Sequence, residues 1–168
     1  YPDYNYERRK FSFQALVDVE QAYEMYGIGI MRWVTNFLGD LVKFQFSKIL
    51  LRLQVSLGLR KDPYDTFSWL INVQKNAKFK FVFFFMVGNY STYTRNIRFN
   101  KKNFRELIKM VGDYSEVGLL LSKEALSVKR QMKLEKKRIE GITNKQLSAV
   151  RCSKYMQSLP EHYREMIQ

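Results

Sequence analysis

The sequence has 168 residues, with one histidine, one cysteine, and 29 basic against 16 acidic side chains. A chain of this length is typical of a single domain whose hydrophobic core needs no covalent staple. One cysteine excludes an internal disulfide and a C-x-x-C redox or zinc cluster. One histidine excludes every metal site that needs two imidazoles from the same chain.

The net charge of +13 is spread evenly, with +6 on residues 1–100 and +7 on residues 101–168. This distribution indicates a generally basic surface and disfavours a nucleic-acid-binding arm. The densest basic cluster comprises Lys129, Arg130, Lys133, Lys136, Lys137 and Arg138. We interpret it as the solvated face of an amphipathic helix, with binding of an anionic polymer as the alternative.

The sequence shows no signal-peptide pattern and no apolar run of roughly 18 residues that could span a membrane. It starts without methionine, and the polar residues 1–10 lead directly into an apolar segment. This pattern suggests a chain cut from a longer protein. The compartment stays open, and we favour a cytoplasmic location as an expectation.

The first elements are a strand and a long helix. Phe11–Val19 is a partly alternating apolar run that predicts a strand ending in carboxylates. Ile30–Leu57 places a narrow polar stripe opposite a broad apolar face, which predicts a helix of about 28 residues, interrupted near Gly39. This helical insertion over 28–60 either packs on its own domain or a partner, or lies on a membrane surface.

The next two elements have clear boundaries in the sequence. Asp62 and Pro63 predict the start of a helix that ends near Asn76, with Asp62 as its cap and Pro63 in its first turn. Lys80–Val87 is a nearly continuous apolar run, which predicts a strand buried on both faces.

Helices and strands continue to alternate in the remaining sequence. The patterns predict a polar loop over 88–100, a helix Asn103–Gly112, a strand Glu116–Leu121, a basic helix Lys123–Gly141, a strand Leu147–Cys152 and a helix Leu159–Ile167. The order β-α-β-α-β-α-β-α predicts an α/β fold with a mainly parallel sheet.

Candidate chemistry lies after the first and fourth strands. Asp18 and Glu20 are two residues apart at a strand end, so both carboxylates can enter one cleft as cation ligands or as a base and a ligand. Helix capping or surface ion pairs are the alternative. Cys152 lies near Arg151 and Lys154, which suggests a lowered thiol pKa, but the one potential base, His162, lies about ten residues further along the chain.

Four segments together resemble polysaccharide deacetylases, and most closely a bacterial subgroup with a helical insertion after the first strand. They are Leu16–Gly29, Asp62–Leu70 (DPYDTFSWL), Phe81–Tyr90 (FVFFFMVGNY) and Glu116–Ser122 (EVGLLLS). Their order and spacing extend the resemblance over essentially the whole chain.

The resemblance implies a partial (β/α) barrel of the deacetylase type, with this single domain (1–168) as a fragment that supplies its N-terminal half. The rest of the barrel, or another chain, would cover the open sheet edge. The family's chemistry is hydrolysis of N-acetyl groups on a carbohydrate polymer, by a zinc-type divalent metal held by Asp, His and His.

Matched position by position, the resemblance places Asp18 as the catalytic base and Glu20 as the metal-binding carboxylate. The two family histidines are replaced by Leu120 and Ser153, and leucine has no lone pair to offer a metal. Arg151 takes the place of the family's arginine after the fourth strand.

We therefore expect a catalytically degenerate protein without a metal, acting in carbohydrate binding or regulation. Tyr90 and Tyr93 in the 88–100 loop are the candidate sugar contacts, together with Arg151. One alternative is an active metal-dependent N-deacetylase with an altered site. The other is a basic module that binds an anionic polymer or a membrane surface.

Overall fold

The structure, a computed structural model, describes residues 11–77, 79–91 and 94–152, together with residue 164. Its sheet contains β1 (Gln14–Val19), β2 (Lys80–Phe85), β3 (Glu116–Leu121) and β4 (Val150–Cys152). The strand order is β1-β2-β3-β4, and every pair is parallel. The sheet curls into a half-barrel in a mixed α/β fold, which confirms the predicted α/β class and parallel sheet.

Six helices connect the described strands. Three lie between β1 and β2, one between β2 and β3, and two between β3 and β4. They are α1 (Ile30–Val42), α2 (Phe46–Ser56), α3 (Phe67–Ala77), α4 (Lys102–Tyr114), α5 (Lys123–Ser127) and α6 (Lys129–Thr143). None of these helices combines the length and the apolar character that a membrane crossing requires.

The central strand β2 is buried on both faces, as its continuous apolar run predicts. Phe83 and Phe85 join the main core, where they meet the apolar faces of α3, α4 and α6. Phe84 belongs to a second, smaller cluster with Val82, Met86 and Leu120, on the concave side of the half-barrel. Successive side chains of β2 therefore point alternately into the core that the helices cover and toward the concave side of the sheet.

The helix expected over Ile30–Leu57 is two antiparallel helices, α1 and α2, with the break at 43–45. Gly39 lies inside α1, so the predicted position of the interruption is wrong. The chain reverses at Phe44, whose φ of +53° lies in the left-handed region. The amide of the next residue, Gln45, closes the end of α1 by donating to the carbonyl of Asp40 (2.9 Å).

The helix expected to open at Asp62 begins instead at Phe67, after a turn over 62–65. Asp62 is therefore not the cap of α3, and its partners are described below. The basic helix is likewise two helices, α5 and α6, which meet at Val128. Strand β3 has the predicted bounds, whereas β1 and β4 start later than predicted and β2 ends earlier. Of the helix expected at 159–167 the structure describes only Arg164.

Candidate functional site

An ion pair crosses the concave face near the carboxyl ends of the outer strands. Nε of Arg151 on β4 lies 3.1 Å from Oδ2 of Asp18 on β1. In a flat sheet these strands would be three spacings, roughly 14 Å, apart. The contact requires the curl of the sheet as well as the reach of the arginine side chain.

Phe84 lies beneath this ion pair and forms an aromatic floor. The guanidinium carbon of Arg151 lies 5.9 Å from the centroid of the ring. On the neighbouring strand, Gly118 leaves the space that the ring occupies, because a Cβ there would lie 2.6 Å from two Phe84 ring atoms. The absence of a side chain at Gly118 therefore allows the Phe84 ring to occupy this position.

The described residues do not fit the three-ligand metal site that the family resemblance implies. Leu120 is fully buried in the hydrocarbon cluster and has no donor atom. Asp18 is already paired with Arg151, and Glu20 is half-buried just beyond β1. No group of three His, Cys, Asp or Glu side chains suited to a metal occurs among these residues. Ser153 lies outside the described residues.

The environment of Cys152 is the opposite of the one predicted for an activated thiol. Partial burial raises the pKa of the Cys152 thiol, so its reactive thiolate form is disfavoured at neutral pH. His162, the one potential base for this thiol, lies outside the described residues. The structure therefore gives the Cys–His hypothesis no support at Cys152, and the direction predicted for its pKa is wrong.

A polar cleft of about 590 Å³ opens beside the strand ends. The loop after β1, helix α1, the 62–65 turn and the loop after β2 all contribute to its walls. Six of its lining residues are Gln21, Arg32, Asn36, Tyr64, Tyr90 and Arg95. A second cavity of about 370 Å³ shares the Arg32 and Tyr90 walls, so these two side chains separate neighbouring spaces.

Arg32 and Tyr90 contact one another in this wall. The guanidinium carbon of Arg32 lies 5.3 Å from the Tyr90 ring centroid, and its Nη1 donates to the carbonyl of Arg95 (2.9 Å). Tyr90 remains 54% exposed. Of the two tyrosines predicted to contact a sugar, Tyr90 therefore lines the cleft, and Tyr93 lies outside the described residues.

The buried side-chain amide of Asn96 connects the loop after β1 to the loop after β2, both of which line the cleft. Nδ2 of Asn96 donates to the carbonyl of Met86 (2.8 Å), at the end of β2. Its Oδ1 accepts from the amides of Ala22 (3.2 Å) and Ile97 (2.8 Å). One side chain thus connects the loop after β1 to the loop after β2 and satisfies three buried backbone groups.

Glu124 on α5 binds the loop after β2 through hydrogen bonds to two of its side chains. Its carboxylate accepts hydrogen bonds from the hydroxyls of Ser91 and Thr94. Partial burial opposes ionisation of Glu124, but these hydrogen bonds outweigh it and lower its pKa. Glu124 is therefore a charged acceptor at neutral pH.

Asp62 ties the loop after β1 to the end of the helical hairpin. Oδ2 accepts from the amides of Met25 (2.7 Å) and Tyr26 (2.8 Å), and Oδ1 accepts from the amide of Glu24 (2.9 Å). Oδ1 also accepts from the amide of Tyr64 (2.9 Å). Four backbone donors converge on one buried carboxylate, and this arrangement fixes the cleft wall that carries Glu24 and Tyr64.

Glu135 is a fully buried carboxyl group beneath the strand ends, on α6. The hydroxyl and amide of Ser122, directly after β3, both donate to it. Burial raises the pKa of Glu135, and the Ser122 hydrogen bonds offset that effect only in part. A Cβ at Gly88 would lie 3.0 Å from Oε1, so the loop after β2 packs directly on this group.

We expect the stability of the protein to fall with rising pH because of Glu135. A carboxyl whose folded pKa is raised contributes fully below its unfolded pKa of 4.5, and the contribution is lost as pH rises through the folded pKa. Relative to Glu135→Gln, the free energy of unfolding of the unmodified protein should therefore decline above about pH 4.5, by up to about 1.4 kcal/mol per pH unit. Urea unfolding across pH 4.5–8 measures this difference, with the exposed Glu106→Gln as the matched control. Parallel profiles for the Glu135→Gln and unmodified proteins would contradict it.

Sequence reasoning missed the residues that hold the cleft together. The partners of Asn96 and Asp62 lie up to 74 residues away, and no local pattern reports such contacts. The polar stripe of α1 contains Arg32 and Asn36, but by itself this pattern indicates only an amphipathic helix. Comparison with protein-family models, curated proteins and solved structures finds no match for this chain.

Proposed function

We propose that this chain is a polysaccharide-deacetylase-like half-barrel that binds a carbohydrate polymer without hydrolysing it. The observation that carries the proposal is the polar cleft at the strand ends, with half-exposed Tyr90 in its wall. Clefts in α/β proteins at this edge of the sheet are where ligands bind.

The chemistry of the cleft suits a sugar. Asn36 and Gln21 offer both amide donors and acceptors, which match hydroxyl groups that also donate and accept. An aromatic side chain such as Tyr90 presents an apolar surface with a polar tip, so it can pack on a pyranose ring while its hydroxyl remains hydrated. Arg32 adds a charge-assisted donor beside the ring.

The residues at the positions that the resemblance assigns to hydrolysis do not provide a metal ligand and a free catalytic base. Leu120 offers hydrocarbon where a ligand would be needed, and Asp18 is engaged by Arg151. Binding without amide hydrolysis is therefore the function that the side chains support.

Binding of an N-acetylated chito-oligosaccharide to the whole chain, measured by calorimetry, tests the proposal. We expect Tyr90→Ala to weaken binding about 5- to 10-fold, because an aromatic contact contributes about 1 kcal/mol. Tyr114→Ala is the matched control, since Tyr114 is 51% exposed on α4 and does not line the cleft.

Two results would contradict the proposal. One is an oligosaccharide affinity that Tyr90→Ala leaves unchanged. The other is metal-dependent release of acetate from the oligosaccharide that Asp18→Ala abolishes, which would identify an active deacetylase with an altered site.

A further inference from the structure

The helical hairpin formed by α1 and α2 exposes two rows of large apolar side chains. Each row follows the three- or four-residue spacing of one helix face. The rows are Ile30, Val34, Leu38 and Leu41 on α1, and Phe46, Leu50, Leu53 and Leu57 at and just beyond α2. Helix α1 has no buried residue at all, so this apolar surface is not part of the domain core.

The two rows lie on the same side of the hairpin. The helices contact through Trp33 Nε1 to Ser56 Oγ (2.9 Å), which pairs the start of α1 with the end of α2, and through Arg52 to Asp40 (2.7 Å). A rotation of 100° per residue about the helix axis separates each apolar row from the face that contacts the other helix by roughly 110°, in the same rotational sense on both helices. Because the helices are antiparallel, these equal offsets place both rows on one side.

The opposite side of the hairpin faces the cleft. Arg32, Thr35 and Asn36 of α1 line it, and Arg32 donates to the carbonyl of Arg95 in the loop after β2. The apolar side consequently points away from the half-barrel. It forms a continuous exposed surface of two helices, larger than the scattered apolar side chains usual on a protein surface.

The tip of the hairpin adds two exposed aromatic rings. Phe44 is 76% and Phe46 is 63% exposed, and the two rings pack edge to face with centroids 6.3 Å apart. Lys43 and Lys48, both exposed, flank them. Aromatic side chains beside lysines are typical of segments that enter the interface of a bilayer.

The charge of the hairpin selects an anionic partner. Residues 28–61 contain six basic side chains and one acidic side chain, Asp40, which is neutralised by Arg52. The exposed charged residues of this segment, Lys43, Lys48, Arg60 and Lys61, are therefore all basic. A second copy would bring like charges together around the same apolar surface, whereas anionic headgroups would pair with them.

We propose that the α1–α2 hairpin binds the surface of a lipid bilayer containing anionic headgroups. The apolar rows and the Phe44–Phe46 tip enter the interface, while the basic residues contact the headgroups. Helices of 13 and 11 residues are too short to cross, so the hairpin lies along the surface. The cleft on its other side remains open to solvent.

Sedimentation of the whole chain with vesicles tests this proposal. We expect binding to phosphatidylcholine vesicles with about 30% phosphatidylglycerol, weak binding to pure phosphatidylcholine, and weakening as salt is raised. Phe44→Asn with Phe46→Ser should lower the affinity at least about tenfold. Asparagine tolerates the positive φ at 44, so the turn is preserved. Trp69→Ser, 64% exposed on α3, is the matched apolar control.

A charge-reversed pair separates the hairpin from the general basicity of the chain. Lys43→Glu with Lys48→Glu should abolish binding, whereas Lys133→Glu with Lys137→Glu on α6 should leave most of it. The proposal is overturned if anionic vesicles do not bind, if the hairpin and control variants bind equally, or if light scattering shows a dimer that the Phe44 and Phe46 changes dissociate. The last result would assign the apolar surface to a second copy.

Discussion

Replacing Asp62 by alanine should cost about 3–5 kcal/mol of the free energy of unfolding, because it removes the acceptor of four backbone hydrogen bonds. The amide of Met25 is buried, and the Asp62 carboxylate is its hydrogen-bond acceptor. Each buried donor left unsatisfied costs about 1–3 kcal/mol, and the three partly buried amides recover some of that loss through hydration. Urea unfolding at constant pH measures the effect.

Two further variants make the result specific. Asp62→Asn keeps one oxygen but turns an NH₂ group toward two amide donors, so we expect an intermediate loss. Asp65→Ala, three residues along the same turn, should change stability by less than about 0.5 kcal/mol. Equal losses for the 62 and 65 variants would show that the turn itself, and not the four hydrogen bonds, stabilises this region.

The local fold was predictable wherever burial leaves a pattern in consecutive residues. The apolar run Lys80–Val87 predicts a strand that is buried on both faces, and β2 is confirmed as such a strand, with its end at Phe85. The alternation of strands with helices predicted the parallel order, since each crossover returns the chain to the next position in the sheet.

The break between α1 and α2 shows why element boundaries were harder to predict. Apolar residues continue at helical spacing through 43–46, and Gly39 was the obvious weak point in the pattern. The chain instead reverses at Phe44, a residue type that rarely adopts positive φ. The contacts that set this turn, such as Asp40 with Arg52, join residues on different helices and leave no periodic signal.

Asp62 shows how a correct local pattern can predict the wrong partner. The Asp-Pro pair satisfies the usual description of a helix start, yet its carboxylate binds amides 36–38 residues earlier in the chain. The assignments of Asp18, Glu20 and Arg151 to a degenerate site stay predictions, and the structure adds the 3.1 Å pairing of Asp18 with Arg151 to them. That pairing depends on the curl of the sheet, which no single segment encodes.

Replacing Gly118 by valine should destabilise the protein by about 3 kcal/mol, at the upper end of the usual cost of overpacking. The new Cβ would lie 2.6 Å from two atoms of the Phe84 ring and 2.9 Å from the carbonyl oxygen of Ala149. That carbonyl accepts from the amide of Leu119 and cannot move without loss of a hydrogen bond between strands. The Phe84 ring must therefore move instead.

A paired change at Phe84 tests whether the ring is the obstacle. Phe84→Leu alone should cost about 1–2 kcal/mol, and combined with Gly118→Val it should cost clearly less than the sum, because the shorter side chain vacates the space. Gly141→Ala is the control, since nothing lies within 4 Å of its added Cβ in α6 and an alanine there should stabilise by up to about 1 kcal/mol. Strict additivity of the two changes would place the strain at the Ala149 carbonyl. A smaller combined loss with Phe84→Leu would instead show that Gly118 leaves the space for the Phe84 ring, which lies beneath Arg151 of the Asp18–Arg151 pair.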